Sequence, residues 1–192
     1  TKQITAGEGG AVITNNKKIF NKIKRLKAFG IDTDIKDRKI PGLYNVKSLG
    51  YNFRMTDFQA ALLYTQLKRY TNNLKRRKEN AKLYENFFSK CNKLNFSKFS
   101  DENSYFIFQI FVSEKIRNSL VQELVKNNIG CSIHYATPLP NFKYYKKSDN
   151  KKFRNAEKYA NTNISLPIHP YLEKKQIEYI TNFLIGYLKW KK

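Results

Sequence analysis

Acid is what this chain has least of. It carries 15 Asp and Glu against 37 Lys and Arg, for a formal net charge of +22 at pH 7. The only loose grouping of acids, Asp32, Asp34 and Asp37, lacks the spacing of a calcium loop and its terminal glutamate, so it reads as a solvated loop and no metal site is expected. Cysteine is nearly absent too. Cys91 and Cys131 alone, with no secretory signal, leave no disulfide framework and point to a reducing cytoplasm. No apolar run approaches the length of a membrane span. An initiator methionine is also missing, and with no targeting segment before Thr1 the chain reads as beginning in mid-domain.

Apolar material is plentiful, with 41% hydrophobic and 15% aromatic residues in 192, which excludes a disordered chain and allows one or two globular domains. The basic excess is a first footprint of nucleic-acid binding. Its distribution weakens that reading, because the charge is scattered over 17–27, 68–78, 143–154 and 189–192, on faces and loops compatible with solvent. Heavy use of Lys, Asn, Ile, Tyr and Phe matches an AT-rich genome. No zinc, helix-turn-helix or stacking-platform signature accompanies the charge. A basic nucleic-acid-binding module stands as the competing reading.

Periodicity lays out the rest. A short buried strand is expected at 11–14 and a helix at 17–29 with Ile19, Phe20, Ile23 and Leu26 on one side, ended by Gly30. A polar loop follows over 31–45. Thr56 and Gln59 form a capping box that starts a helix, and Leu74, Ala81, Tyr84 and Phe88 continue at helical spacing. The aromatic, β-branched run at 105–112 suits a central strand. Beyond it come an amphipathic helix over 116–125 stopped near Gly130, a strand at 131–135, an extended piece at 164–168, and a terminal helix marked by Ile177, Ile180, Leu184 and Leu188. A domain boundary fits best within 71–78.

The glycine-rich stretch Gly7-Glu8-Gly9-Gly10 is not a phosphate loop, since it precedes a strand where a dinucleotide fingerprint follows one, and it has no Walker lysine. Its glycines suit a tight hairpin with positive φ, and Glu8 suits bonding to the amides of that turn. Lys2 stands just ahead of it. A lysine on a short turn beside a sheet edge is partly desolvated, which frees its amine for Schiff-base chemistry with an aldehyde.

Residues 2–15 resemble the Schiff-base segment of the DegT/StrS-type sugar aminotransferases, a family of fold type I pyridoxal phosphate enzymes. Leu26-Lys27-Ala28-Phe29-Gly30 is similar to the helix end after that segment, and residues 50–61 with Gln66-Leu67 to a downstream signature of the family. His134-Tyr135 within 130–138 and residues 165–170 complete the match. The resemblance spans the whole chain but only the C-terminal half of a family member. It implies an α/β fold: a remnant of the large pyridoxal-phosphate-binding domain over 1–72 and a small α+β C-terminal domain over 73–192.

The resemblance makes Lys2 the lysine that carries the cofactor and then shuttles a proton. A branch of the family that dehydrates sugars has histidine there, so lysine favours transamination. It makes Asn52 the residue that reaches the cofactor phosphate of the neighbouring subunit, with Arg54 facing the same anionic site, and it places His134 and Tyr135 near the substrate. The plainer alternatives are an Asn52 that bonds backbone groups and a His134 that is merely packed. His169, between prolines, reads as structural. The implied activity is amino transfer, with glutamate as donor, to a keto sugar on a nucleotide, for cell-surface polysaccharide or glycan synthesis, by a cytoplasmic homodimer with shared active sites. The family's cofactor-stacking aromatic, its acidic partner of the pyridine nitrogen and a phosphate-binding hydroxyl fall outside the matched half. The half-length chain is therefore expected to expose unpaired strand edges and to be inactive by itself.

Overall fold

In the computed structural model, which describes residues 2–145 and 152–190, Asn16 opens the first helix. Its side-chain oxygen accepts from the amides of Lys18 at 2.9 Å and Ile19 at 3.2 Å, satisfying two donors that helix α1 (Lys17–Leu26) would otherwise leave unpaired. Residues 146–151 of the basic run at 143–154, and the final two lysines, lie outside the described residues. The chain forms two compact units, Thr1–Lys68 and Arg69–Lys192.

In the first unit α1 stops at Leu26, short of the expected Phe29. The reason is a competing set of backbone bonds: Phe29 N–H donates to the Tyr51 carbonyl at 3.0 Å and Phe53 N–H to the Lys27 carbonyl at 2.9 Å, which draws 27–30 out of the helix. Gly30 does take the left-handed conformation expected of it, at φ 73°, and Phe29 precedes it at φ 60°. Gly30 and Gly50 lie backbone against backbone. A Cβ on Gly50 would stand 1.9 Å from the Gly30 nitrogen, and one on Gly30 would stand 1.8 Å from the Ser48 carbonyl oxygen.

The strand expected at 11–14 does not form. Val12 is 68% exposed and Ile13 95%, since a strand exists only by pairing and nothing among the described residues pairs with this stretch. The glycines do supply positive φ at Gly7 (79°) and Gly9 (152°), but the chain bends there without closing a hairpin. The Gly7 amide is held by the Thr5 hydroxyl at 3.1 Å, in the role expected of Glu8.

The loop at 31–45 contains a single 3₁₀ turn, Ile35–Asp37, and two of its acids, Asp32 and Asp34, are ion-paired. Asp32 accepts from the Thr33 hydroxyl at 2.8 Å and pairs with Lys47 at 3.1 Å, while Asp34 pairs with Lys24. The Thr33 hydrogen bond, then Lys47, holds the Asp32 carboxyl below its ordinary value, and the Lys24 bond does the same for Asp34. With folded-state values depressed, the pairs contribute fully above the ordinary carboxylate value of 3.8 and are lost as pH falls below it. Amide protection across 31–47, taken relative to the intrinsic exchange rate at each pH, is expected to fall on acidification from pH 5 to about pH 3. The Lys24–Asp34 pair is solvent-exposed and Asp32 is partly buried, so added salt should weaken the first pair more.

Helix α2 (Asp57–Phe88) starts at the expected capping box, which is reciprocal: Gln59 N–H donates to the Thr56 hydroxyl at 3.3 Å, and Thr56 N–H donates to the Gln59 side-chain oxygen at 3.1 Å. Thr56→Ala should lower stability by about 1 kcal/mol in chemical denaturation. The two helical stretches expected from the sequence are one helix of 32 residues, and the division between the units falls inside it, after Lys68.

The second unit is an antiparallel sheet packed with helices. Its strands are β1 (Asn95–Phe96), β2 (Phe108–Phe111) and β3 (Asn163–Leu166), with β2 in the centre. Register pairs Phe108 with Leu166 and Ile110 with Ile164. The central strand is shorter than the apolar run 105–112 because Tyr105 turns the chain at φ 48°. The strand expected at 131–135 reduces to one bridge, Ser132 to Ser165.

Helix α3 (Glu114–Lys126) is stopped by Asn128, not Gly130. Asn128 takes φ 56°, Ile129 N–H reaches back to the Leu124 carbonyl at 2.9 Å and Asn128 N–H to Val125 at 3.0 Å, a Schellman closure that asparagine tolerates. Helix α4 (Arg154–Thr162) had no sequence signal strong enough to mark it, and α5 (Lys174–Trp190) buries the expected Ile177, Ile180, Leu184 and Leu188.

The core gathers Tyr84 and Phe88 of α2 with Phe108, Ile110, Leu120, Leu124 and Ile164, all buried. Tyr84 stacks on Phe108 with centroids 4.7 Å apart. Burial raises the Tyr84 phenol far above its ordinary value, so it stays protonated and donates to the Pro167 carbonyl at 3.0 Å. Arg77 and Asn80, on the same face of α2, donate to the carbonyls of Ile168 (2.7 Å) and His169 (3.0 Å). The segment after β3 is thus fixed through its backbone.

Candidate functional site

Lys2 lies in the first unit and is exposed, where a partly desolvated lysine was expected. No strand forms at 11–14 to give it a sheet edge. The segment just after Lys2 is nevertheless fixed. Gln66 of α2 presents its carboxamide to Thr5 as a neighbouring strand would: Thr5 N–H donates to Oε1 at 3.0 Å, and Nε2 donates to the Thr5 carbonyl at 2.5 Å. Two turns earlier, Gln59 Nε2 donates to the Glu8 carbonyl at 3.1 Å. Ala6, between these anchors, is buried. The two glutamines lie seven residues apart on one helix face, a spacing visible in the sequence only to a reader who knew that a backbone needed holding there.

Asn52 and Arg54 come together in the same unit. Arg54 Nε donates to Asn52 Oδ1 at 3.4 Å, and the guanidinium carbon lies 5.2 Å from the centroid of the Phe29 ring. Asn52 itself pairs with Ala28 in an isolated antiparallel bridge. Its backbone is thus held by the chain that leaves α1, while its side chain is oriented by the arginine. With Oδ1 accepting, the Asn52 amide keeps N–H donors for a ligand, and among the described residues no carboxylate ion-pairs with Arg54. A cation flanked by amide donors on an exposed loop suits an anion.

His134 and Tyr135 belong to the second unit. His134 is half-buried and tethered at three points: its ring Nδ1 lies 2.8 Å from the Ser165 hydroxyl, its N–H donates to Asn163 Oδ1 at 3.0 Å, and its carbonyl accepts from Gln109 Nε2 at 3.0 Å. Tyr135 is 73% exposed and meets the imidazole edge-on at 5.4 Å. The sequence singled out the pair but not Gln109, Asn163 and Ser165, which sit on strands whose composition reads only as core.

The model of the DegT/DnrJ/EryC1/StrS aminotransferase family matches residues 1–185. The chain belongs to that family. A UDP-4-amino-4,6-dideoxy-N-acetyl-beta-L-altrosamine transaminase of Campylobacter jejuni is 31% identical over 98% of this chain and 50% of its own length. The spore coat polysaccharide biosynthesis protein SpsC of Bacillus subtilis is 30% identical over 93% of the chain and 49% of its own. Among solved structures, PseC of Helicobacter pylori, an aminotransferase involved in the biosynthesis of pseudoaminic acid, superposes with a TM-score of 0.84 at 28% identity, over 97% of this chain and 50% of that one. The chain thus spans about half the length of the relatives it matches, and its fold is that of half a sugar aminotransferase. No helix among the described residues is long and apolar enough to cross a membrane.

Proposed function

We propose that this chain is the C-terminal half of a pyridoxal-phosphate-dependent aminotransferase that moves an amino group from glutamate onto a keto sugar carried by a nucleotide, for cell-surface polysaccharide or glycan synthesis in the cytoplasm. The observation that carries the reading is the family match over residues 1–185, which includes Lys2.

The residues present suit the cofactor. Lys2 is an exposed primary amine that can hold an aldehyde, and Asn52 with Arg54 offers a set of donors free of any carboxylate partner among the described residues, which suits a phosphate. Pyridoxal phosphate, when bound, supplies the electron sink for charge developing at the substrate carbon. The chain's own groups do the rest. The Lys2 amine would be the base that moves a proton between the substrate carbon and the cofactor carbon. Asn52 and Arg54 hold the phosphate, acting toward the neighbouring subunit of a homodimer. The His134 ring and the Tyr135 hydroxyl offer polar contacts to the sugar. Residues 1–72 then serve as the remainder of the cofactor domain and 73–192 as the small domain.

The test is to supply the complete polypeptide with pyridoxal phosphate, glutamate and a nucleotide-linked keto sugar, and to follow 2-oxoglutarate. One 2-oxoglutarate per amino sugar formed is the expected result. No amino transfer, together with steeply salt-dependent retention on single-stranded DNA, would instead favour a basic nucleic-acid-binding module.

A further inference from the structure

Within the second unit the His134–Tyr135 pair is surrounded by more polar apparatus than a packed histidine needs. Asn163 is fully buried and Ser165 is 4% exposed, yet both direct side-chain oxygens at His134. Buried polar side chains in a short core strand cost stability unless bonded, so their bonds are where the strand's polarity is satisfied. The neighbouring bonds tie the same group to Tyr159 as well. Gln109 Nε2 donates to the His134 carbonyl at 3.0 Å, and Gln109 Oε1 accepts from the Tyr159 hydroxyl at 2.5 Å. Asn163 Nδ2 donates to the Tyr159 carbonyl at 2.7 Å, and the Tyr159 ring is itself pinned edge-on against Phe111 at 5.2 Å.

The result is a closed frame drawn from β2, β3 and α4 that fixes the main chain on both sides of His134 and one nitrogen of its ring. Among the described residues the other ring nitrogen, Nε2, has no hydrogen-bond partner. The frame spends its bonds on orienting the ring and leaves one polar atom of it for something else. A ring that was only filling space would need no such arrangement.

We propose that Ser165, Asn163 and Gln109 are positioning residues for substrate: they lock the His134 imidazole and the adjoining Tyr135 in one orientation that contacts the sugar of the nucleotide-linked substrate. None of the three touches the substrate. Ser165 fixes the ring plane through Nδ1, while Asn163 and Gln109 fix the peptide groups that set where Tyr135 leaves the segment. This rests on the reading of His134 and Tyr135 as substrate contacts.

The His134 ring is read directly by ¹⁵N-histidine labelling of the complete enzyme, its signals assigned by their loss in His134→Ala. In the complete enzyme, the Ser165 hydroxyl is expected to displace the His134 Nδ1 shift from that of a solvated imidazole. Ser165→Ala removes one oxygen and leaves the backbone bonds of β3 in place. It should move the His134 Nδ1 shift toward the solvated value while the other histidine signals stay in place, and raise KM for the nucleotide sugar about tenfold with kcat within about threefold. Gln109→Ala, at a half-buried position, should raise the same KM and gives a second variant if the first folds poorly. Unmoved His134 shifts in both variants would overturn the proposal. So would shifts that move with no change in KM, provided His134→Ala raises it. If His134→Ala itself leaves KM unchanged, the assignment of the pair to substrate fails, and the proposal falls with it for that separate reason.

Discussion

Lys2→Ala in the complete enzyme is expected to lower amino transfer on the order of 10³-fold or more, and to abolish the covalent cofactor adduct that borohydride traps. On the proposed reading two roles are lost with one amine: the nucleophile that holds the aldehyde and the base that moves the proton. Lys2 is one of 37 Lys and Arg, and it is exposed, so position rather than local environment sets it apart. What marks the position is the segment after it, bonded to α2 through Gln59 and Gln66 at Glu8 and Thr5. The control is Lys18→Ala, an exposed lysine of α1, which should transfer amino groups at the parent rate. A Lys2→Ala protein that still forms the trapped adduct and turns over would refute the assignment.

Gly50→Ala is expected to destabilise the first unit by about 3 kcal/mol or more in urea unfolding, among the costliest single substitutions available there. The added methyl would sit 1.9 Å from the Gly30 nitrogen and 2.4 Å from the Phe29 carbonyl carbon, both backbone atoms that no rotamer change can move aside. Relief requires parting the segments joined through Phe29 to Tyr51 and Lys27 to Phe53, and with them the Ala28–Asn52 bridge. Cofactor affinity should therefore fall together with stability. Two glycines calibrate the effect. At Gly42 a Cβ meets nothing, but φ is 82°, so alanine there should cost about 1 kcal/mol through backbone strain. At Gly10 there is neither a contact nor a positive φ, and alanine should be close to neutral.

Features decided by a few adjacent residues were legible in the sequence. The Thr56–Gln59 box, the left-handed Gly30, the apolar face of α5 and the central place of β2 each follow from local chemistry. Features decided by partners were not. Residues 11–14 have strand composition and no strand to join, and 131–135 keep one bridge where a full strand was expected. Asn128 won the helix stop from Gly130 because asparagine also tolerates the left-handed region and stands two residues earlier. Helix α4 is short and mostly polar and buries only Ala160, too little apolar pattern to announce itself.

The candidate site divides along the same line. Lys2, Asn52, Arg54, His134 and Tyr135 stood out as side chains that could do chemistry, and Asn52 and Arg54 do meet. The groups that hold such side chains are ordinary glutamines, an asparagine and a serine. Their partners are backbone atoms as much as 61 positions away, as with Gln66 and Thr5, and no local pattern encodes such a distance.

Helix α2 has all its buried residues, Asn80, Ala81, Tyr84 and Phe88, in its last three turns, and it contains neither glycine nor proline. Starting a helix is the costly step and lengthening it is cheap, so the core-packed end acts as the nucleus from which the rest winds outward. The first turns, which carry Gln59 and Gln66, are therefore the last to zip and the first to fray. The Thr56–Gln59 box is the clasp at the open end of that zipper, and when it opens it releases in the same motion the Gln59 amide that grips Glu8.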